Sequence, residues 1–136
     1  IDQGAKQGLV VFEVSSRRDA GIVESYFKKT MNDKTNWRKM LSGDPEERDL
    51  LLCQSMLHDR LPDSFENTVT FPCDEEVVTF HYPVLKYPEK VKSLSFDKLP
   101  VISSRLNGIK GQYLLLEDGV LNMRKFSGYE VSFTAA

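Results

Sequence analysis

The sequence predicts an α+β protein with a helical first half and a β-rich second half. Three observations carry this. One strand-like run precedes three stretches of helical periodicity before residue 62. Five or six short β-like runs, separated by Pro and Gly, fill the residues from Val77 onward. A polar, acidic stretch lies between them. The expected division is therefore 1–62 as a strand–helix half, 63–76 as an acidic connector, and 77–136 as a small β-rich domain.

Leu9-Val10-Val11-Phe12-Glu13-Val14 is apolar and rich in β-branched residues, bounded by Gly8 and by Ser15-Ser16, and predicts a buried strand. Ser16 stands three residues before Asp19, which marks a helix start. Ala20, Val23, Phe27 and Met31 then recur at helical spacing, widened by Ile22 and Tyr26. After a turn at residues 32–34, Asn36 to Leu41 predicts a short helix ending near Gly43. Asp44-Pro45-Glu46-Glu47 predicts the next start, with Asp as N-cap and Pro at the first helical position. That helix is expected to reach Leu61, ahead of Pro62, with Leu50, Cys53, Leu57 and Leu61 facing the core. One strand cannot make a sheet, so its partners are expected from the β-rich half, another chain, or residues before Ile1.

Val77 to Leu85, Val91 to Phe96 and Val101 to Leu106 are β-like runs between prolines. Tyr113 to Leu116 and Val120 to Met123 flank Glu117-Asp118-Gly119, a hairpin signal of the type I′ kind. Tyr129 to Phe133 alternates apolar and polar residues and predicts a last strand. Together they predict a small antiparallel sheet or barrel.

The net charge of -2 hides a layered distribution. Residues 1–43 carry net +3, residues 44–82 net -8 and residues 83–136 net +3. A basic coat over the whole surface is excluded, whereas local basic patches are not. The longest apolar runs fall far short of the ~20 residues of a membrane helix, so no membrane partner is expected. No signal peptide is predicted, and two cysteines fit a reduced, cytoplasmic protein, a single Cys53–Cys73 bridge remaining open by count. Ile1 in place of an initiator Met leads to the expectation of the C-terminal piece of a longer chain.

Reactive constellations are sparse. Cys53 and His58 lie about 140° apart on the predicted helix, and no CxxC joins Cys73 or His81, so zinc is not predicted. Cys53 sits in a leucine run, where burial makes a thiol inert. Walker A, GxGxxG and GxSxG motifs are lacking. Gly108-Ile109-Lys110-Gly111 has the outline of a nucleic-acid-clamping GXXG loop, but it precedes a strand and fits a turn or bulge better. Trp37 is read as an anchor packing its short helix, the alternative being base stacking beside Arg38 and Lys39. Glu24 lies at the margin of its helix's apolar stripe. It either faces a cleft or pairs with Lys28 at i,i+4, and the residues alone favour the pair.

Several segments resemble one family of uncharacterised bacterial proteins. They are Ile1 to Ala5, Arg18-Asp19-Ala20-Gly21-Ile22-Val23-Glu24, Asp33 to Leu41, Leu106 to Leu114, Asp118-Gly119 and Ser127-Gly128-Tyr129-Glu130-Val131. Longer members of that domain-of-unknown-function family carry a region similar to the GIY-YIG endonucleases, and this chain resembles its C-terminal part. The resemblance implies that Glu24 holds a divalent cation, Mg²⁺ or Mn²⁺, and that Asn36 accompanies it in catalysis. The two strands naming that fold, with their Tyr residues and a following Arg, are not in this sequence. The resemblance therefore implies a catalytically incomplete fragment, and an enzyme only in a longer chain.

Two functions follow as expectations. One is a GIY-YIG-like nuclease part or nucleic-acid-binding protein, with Arg38, Lys39, Lys110, Arg124 and Lys125 contacting nucleic acid. The other is a non-catalytic α+β interaction module whose acidic middle segment binds a basic partner. Self-association through an unpaired edge of the Leu9–Val14 strand is a further expectation.

Overall fold

The computed structural model describes residues 1–31, 34, 36–43, 46–72 and 76–135. They form two compact units, one of residues 6–36 and 46–80, the other of residues 1–5, 37–45 and 81–136. Among the described residues no helix is long and apolar enough to cross a membrane.

The first unit begins where a single strand is expected, and the chain there makes two short ladders instead. β1 (Gln7–Gly8) pairs antiparallel with β4 (Val78–Thr79), and β2 (Glu13–Val14) pairs antiparallel with β3 (Val69–Thr70). Between β1 and β2 the backbone is held by side chains. Gln54 Nε2 donates to the Val10 carbonyl at 2.7 Å, and His58 Nε2 lies 2.8 Å from the Val11 carbonyl. These donors stand in for a ladder, so the predicted continuous strand is broken. The strand's partners come from within the chain, and β3 lies inside the stretch expected to be a loop.

α1 (Arg17–Phe27) starts as the sequence predicts, with the Asp19 amide donating to Ser16 Oγ at 3.2 Å. Its buried face is narrower than expected: Val23 and Phe27 are buried and Tyr26 half-buried, while Ala20, Ile22 and Met31 are exposed. α3 (Leu50–His58) is shorter than predicted. Asp44 and Pro45 lie outside the described residues, and the observed cap is Asp49, whose carboxylate accepts from the Leu52 amide at 3.0 Å. Leu57 and Leu61 pack beside Val23, Phe27 and Val69, joined by Phe12, Val14, Tyr26 and Phe65. Phe12 stacks on Phe27 at 5.6 Å between ring centres.

The second unit contains α2 (Trp37–Leu41) and an open four-stranded sheet. Its strands are β5 (Ser93–Leu94), β6 (Leu106–Lys110), β7 (Tyr113–Leu116) and β8 (Gly119–Asn122). The order is β5-β8-β7-β6; β5 and β8 run parallel and the other neighbours antiparallel. Leu41, Tyr113, Leu115 and Val120 form one core, with Trp37, Val84 and Val91 against it. Leu94, Leu116, Leu121 and Phe126 form the other.

Three segments expected as strands fold differently. Val77 to Leu85 is not one strand: it supplies β4 in the first unit and, past Pro83, a single bridge from Val84 to Gly108. Val101 to Arg105 is outside the sheet, which that segment enters only at Leu106. Tyr129 to Phe133 forms no ladder; Tyr129 is tied instead through its hydroxyl to Asp97 at 2.6 Å.

The two hairpins are where the turn residues place them. In the first, Gly111 at φ +56° and Gln112 join Lys110 to Tyr113, and Gly108 sits at a register shift, as a turn-or-bulge reading requires. In the second, Leu116 pairs with Gly119 across Glu117-Asp118. No described non-glycine residue has positive φ, so this turn is not type I′. Gly119 serves another purpose. A Cβ there would stand 2.5 Å from the Lys92 carbonyl, which accepts from the Val120 amide at 2.7 Å where β5 meets β8.

Candidate functional site

Glu24 is on the outer side of α1. Its carboxylate pairs with Lys28 at 3.1 Å, and both side chains are largely exposed. Asn36 is exposed as well. A groove of about 280 Å³ in the same unit is lined by Glu13, Val14, Ser15 and residues 67–70, and neither Glu24 nor Asn36 lines it. Among the described residues no three His, Cys, Asp or Glu side chains gather as metal ligands. A divalent ion at Glu24 would meet one carboxylate already neutralised by an ammonium. That does not fit the multidentate oxygen site such an ion needs. Cys53 is a free thiol, half-buried in α3; Cys73 lies outside the described residues.

The basic residues expected to meet nucleic acid all fall in the second unit, in different settings. Arg38 and Lys39 are exposed on α2. The Arg38 guanidinium lies 4.3 Å from the centre of the Trp37 ring, and Trp37 stacks on Tyr113 at 5.8 Å with the planes 5° apart. Trp37 is thus the anchor of α2, packed on the sheet. Arg124 pairs with Asp2 at 2.9 Å, and Lys125 with Asp97 at 3.5 Å; all four side chains are well exposed. Through Asp2, Arg124 is joined to the β6–β7 turn that precedes Tyr113. Asp2 accepts the Gln112 amide through its carbonyl at 2.9 Å, and Tyr113 donates its hydroxyl to Gln3 Oε1 at 3.0 Å.

Lys110 is different. It ends β6 and is only 3% exposed. Its Nζ donates to the Met40 carbonyl at 2.6 Å, 5.1 Å from the centre of the Tyr87 ring and 5.7 Å from that of Tyr82. An ammonium buried this deeply survives through a carbonyl acceptor and the negative faces of aromatic rings. Tyr82 donates in turn to the carbonyls of Ala5 at 2.9 Å and Ile1 at 3.2 Å. Burial, helped by the nearby Asp2 carboxylate, holds the Tyr82 hydroxyl above its ordinary pKa. This arrangement cross-links the first residues, α2 and β6. It keeps Lys110 away from any phosphate outside.

Sequence reasoning missed Tyr82, Tyr87 and Gln3, because the residues they meet lie far away in the chain. The one local hint was a lysine between two turn-forming glycines.

A family model described as "Protein of unknown function (DUF2797)" matches residues 1–131. The chain belongs to this family. The DUF2797 match spans both units, the Lys110 cage and every candidate residue named above. No curated protein matches the chain. No solved structure matches it either.

Proposed function

We propose that this DUF2797 chain binds nucleic acid through phosphate contacts made by its second unit, without itself completing a catalytic site. One observation carries the reading: exposed Arg38 lies over the Trp37 ring on a unit with ten Lys/Arg against seven Asp/Glu. The other unit carries eight against thirteen, so the positive charge is concentrated rather than spread. The guanidinium lies over the ring on an exposed side chain, and a planar, pre-positioned fork of this kind suits a phosphate oxygen. Lys39 stands beside Arg38 on α2, and Arg124 and Lys125, each ion-paired, are exposed on the same unit. Asp2, Asp97 and Glu117 are each engaged by a basic side chain, which reduces their repulsion of a polyanion.

The test is fluorescence anisotropy with labelled duplex and single-stranded DNA and RNA, between about 50 and 200 mM salt. Binding should weaken steeply with salt. Arg38→Ala with Lys39→Ala should lower the magnitude of the log–log salt slope by about 2 on duplex. No binding at the low-salt end, or an unchanged slope in the double variant, would overturn this reading.

A further inference from the structure

The solvent faces of α1 and α3 in the first unit are complementary to each other. α3 turns Leu51, Leu52 and Met56 outward, at 43%, 59% and 45% exposure, around Ser55. Its polar Gln54 is instead the buried residue, at 2%. Three large apolar side chains on the outer face of a nine-residue helix form a contiguous patch, not scattered exposure. Asp49 and Asp59 bracket that patch at the two ends of the helix.

α1 has the converse layout. Arg18, Gly21, Ile22 and Ser25 follow one another at i, i+3, i+4 and i+7, a single stripe of α1, and Lys29 continues the spacing in the turn just past its end. All five are exposed, Ile22 at 44%. Among the described residues, nothing outside its own helix backbone and chain neighbours lies within 4 Å of a Cβ placed on Gly21, so a second helix can approach closely there. The stripe is apolar and small in the middle and basic at both ends. Arg18, Lys29 and Asp59 take part in no ion pair among the described residues.

The spacings agree. Arg18 to Phe27 rises about 14 Å within α1, with Lys29 in the turn beyond, and Asp49 to Asp59, the caps of α3 included, about 15 Å at ~1.5 Å per residue. Laid antiparallel, Arg18 meets Asp59 and Lys29 approaches Asp49, with Met56 over Gly21 and Ile22 and Leu52 over Ser25. Antiparallel packing also sets the helix dipoles favourably. Both helices belong to one compact unit, and in a two-fold dimer of this kind the contact is made twice.

We infer that the first unit is a self-association module: α1 of one copy docks on α3 of a second copy, and α3 on α1, in a two-fold dimer. The occupant is a second copy because this chain itself carries the stripe that matches the patch in length, charge and bulk.

Sedimentation velocity of the full chain up to about 1 mM, where even a weak dimer of Kd near that value is populated, tests it. Wild type should show a monomer–dimer equilibrium. Leu52→Lys should weaken it by about tenfold or more, with an unchanged circular dichroism melt because Leu52 is outside the core. Arg18→Glu and Asp59→Arg should each weaken it, and the double variant R18E/D59R should recover it. That recovery separates a specific contact from general stickiness. A wild type monomeric throughout, a dimer indifferent to Leu52→Lys, or a double variant no better than the singles would overturn the inference.

Discussion

Replacing Lys110 measures how the second unit uses a buried charge. Methionine at this position keeps three atoms of the stem and loses the ammonium; alanine loses both. In Lys110→Met the Met40 carbonyl loses a donor now at 2.6 Å, and the Tyr87 and Tyr82 faces lose their cation. An unpaired buried acceptor costs about 1–3 kcal/mol, and cation–π contacts add about 0.5–2. Part of this is offset, because a buried charge no longer has to be kept from water. The expected net loss is about 1–2 kcal/mol. Lys110→Ala also empties the space of the stem, three heavy atoms at about 0.8 kcal/mol each, so it should cost about 2–3 kcal/mol more than methionine. Its total of about 3–5 kcal/mol corresponds to a fall in Tm of about 10–20 °C for a chain of this size. Urea and thermal unfolding followed by circular dichroism give both numbers. If methionine left the protein as stable as wild type, the ammonium would contribute no net stability. If alanine matched methionine, the stem would not be packed.

Gly119→Ala should destabilise the sheet by about 2–4 kcal/mol, since its Cβ meets the Lys92 carbonyl and φ of +156° is a glycine conformation; an unchanged urea midpoint would contradict this. The Asp97 carboxyl is held below its usual pKa chiefly by the Tyr129 hydroxyl and then by Ser95, and Glu117 chiefly by Asn107 and then Lys86. Their folded values lie under the unfolded ones, so the stability they add is present above about pH 4 and lost as pH falls through the folded values. Tyr129 is raised chiefly by its hydrogen bond to Asp97, so its contribution holds below about pH 10 and fades as pH rises through the folded value. Asp97→Asn should flatten both arms of the Tm–pH curve, and identical curves would refute the assignment. Glu24→Ala removes an exposed i,i+4 pair worth about 0.3–0.5 kcal/mol, so Tm should move by less than about 3 °C. A larger drop would mean that Glu24 is doing more than pairing with Lys28.

Legibility in the sequence followed how local each cause was. The α1 start is set by Ser16 and Asp19, three residues apart, and the β7–β8 hairpin by turn residues between apolar runs. Both are visible in the sequence. β3 was not, because its two residues sit in an acidic stretch and pair with β2 more than fifty residues away. The inward face of β6 was hidden for a different reason. The register shift between Leu106 and Gly108 puts Gly108 and Lys110 inside and leaves Leu106 and Ile109 exposed. Hydropathy alone assigns the opposite face, since a one-residue change of phase exchanges the two sides of a strand. For the candidate site, the pairing of Glu24 with Lys28 was legible from spacing, and the burial of Lys110 was not.

On α3 the stripe expected to face the core, Leu50, Cys53, Leu57 and Leu61, is the half-buried one, with Gln54 buried beside it and Leu52 outside. What α3 shares with β6 is a polar side chain turned inward, and the two cases share a cause. The described residues make few long ladders: five of the eight strands among them have two residues. Backbone carbonyls beyond those ladders still need donors once water is excluded. Gln54 and His58 supply them at Val10 and Val11, Lys110 at Met40, and Tyr82 at Ile1 and Ala5. Residue types that suggest catalysis in a sequence are used here to hold irregular backbone. Turning polar side chains inward on a short helix or strand turns its apolar neighbours outward. The exposed Leu51, Leu52 and Met56 are therefore a consequence of how the fold satisfies its backbone. A patch produced that way remains costly in water, and docking a second copy's α1 removes that cost. Structural need in one copy and association between two copies then have a single origin in the orientation of α3.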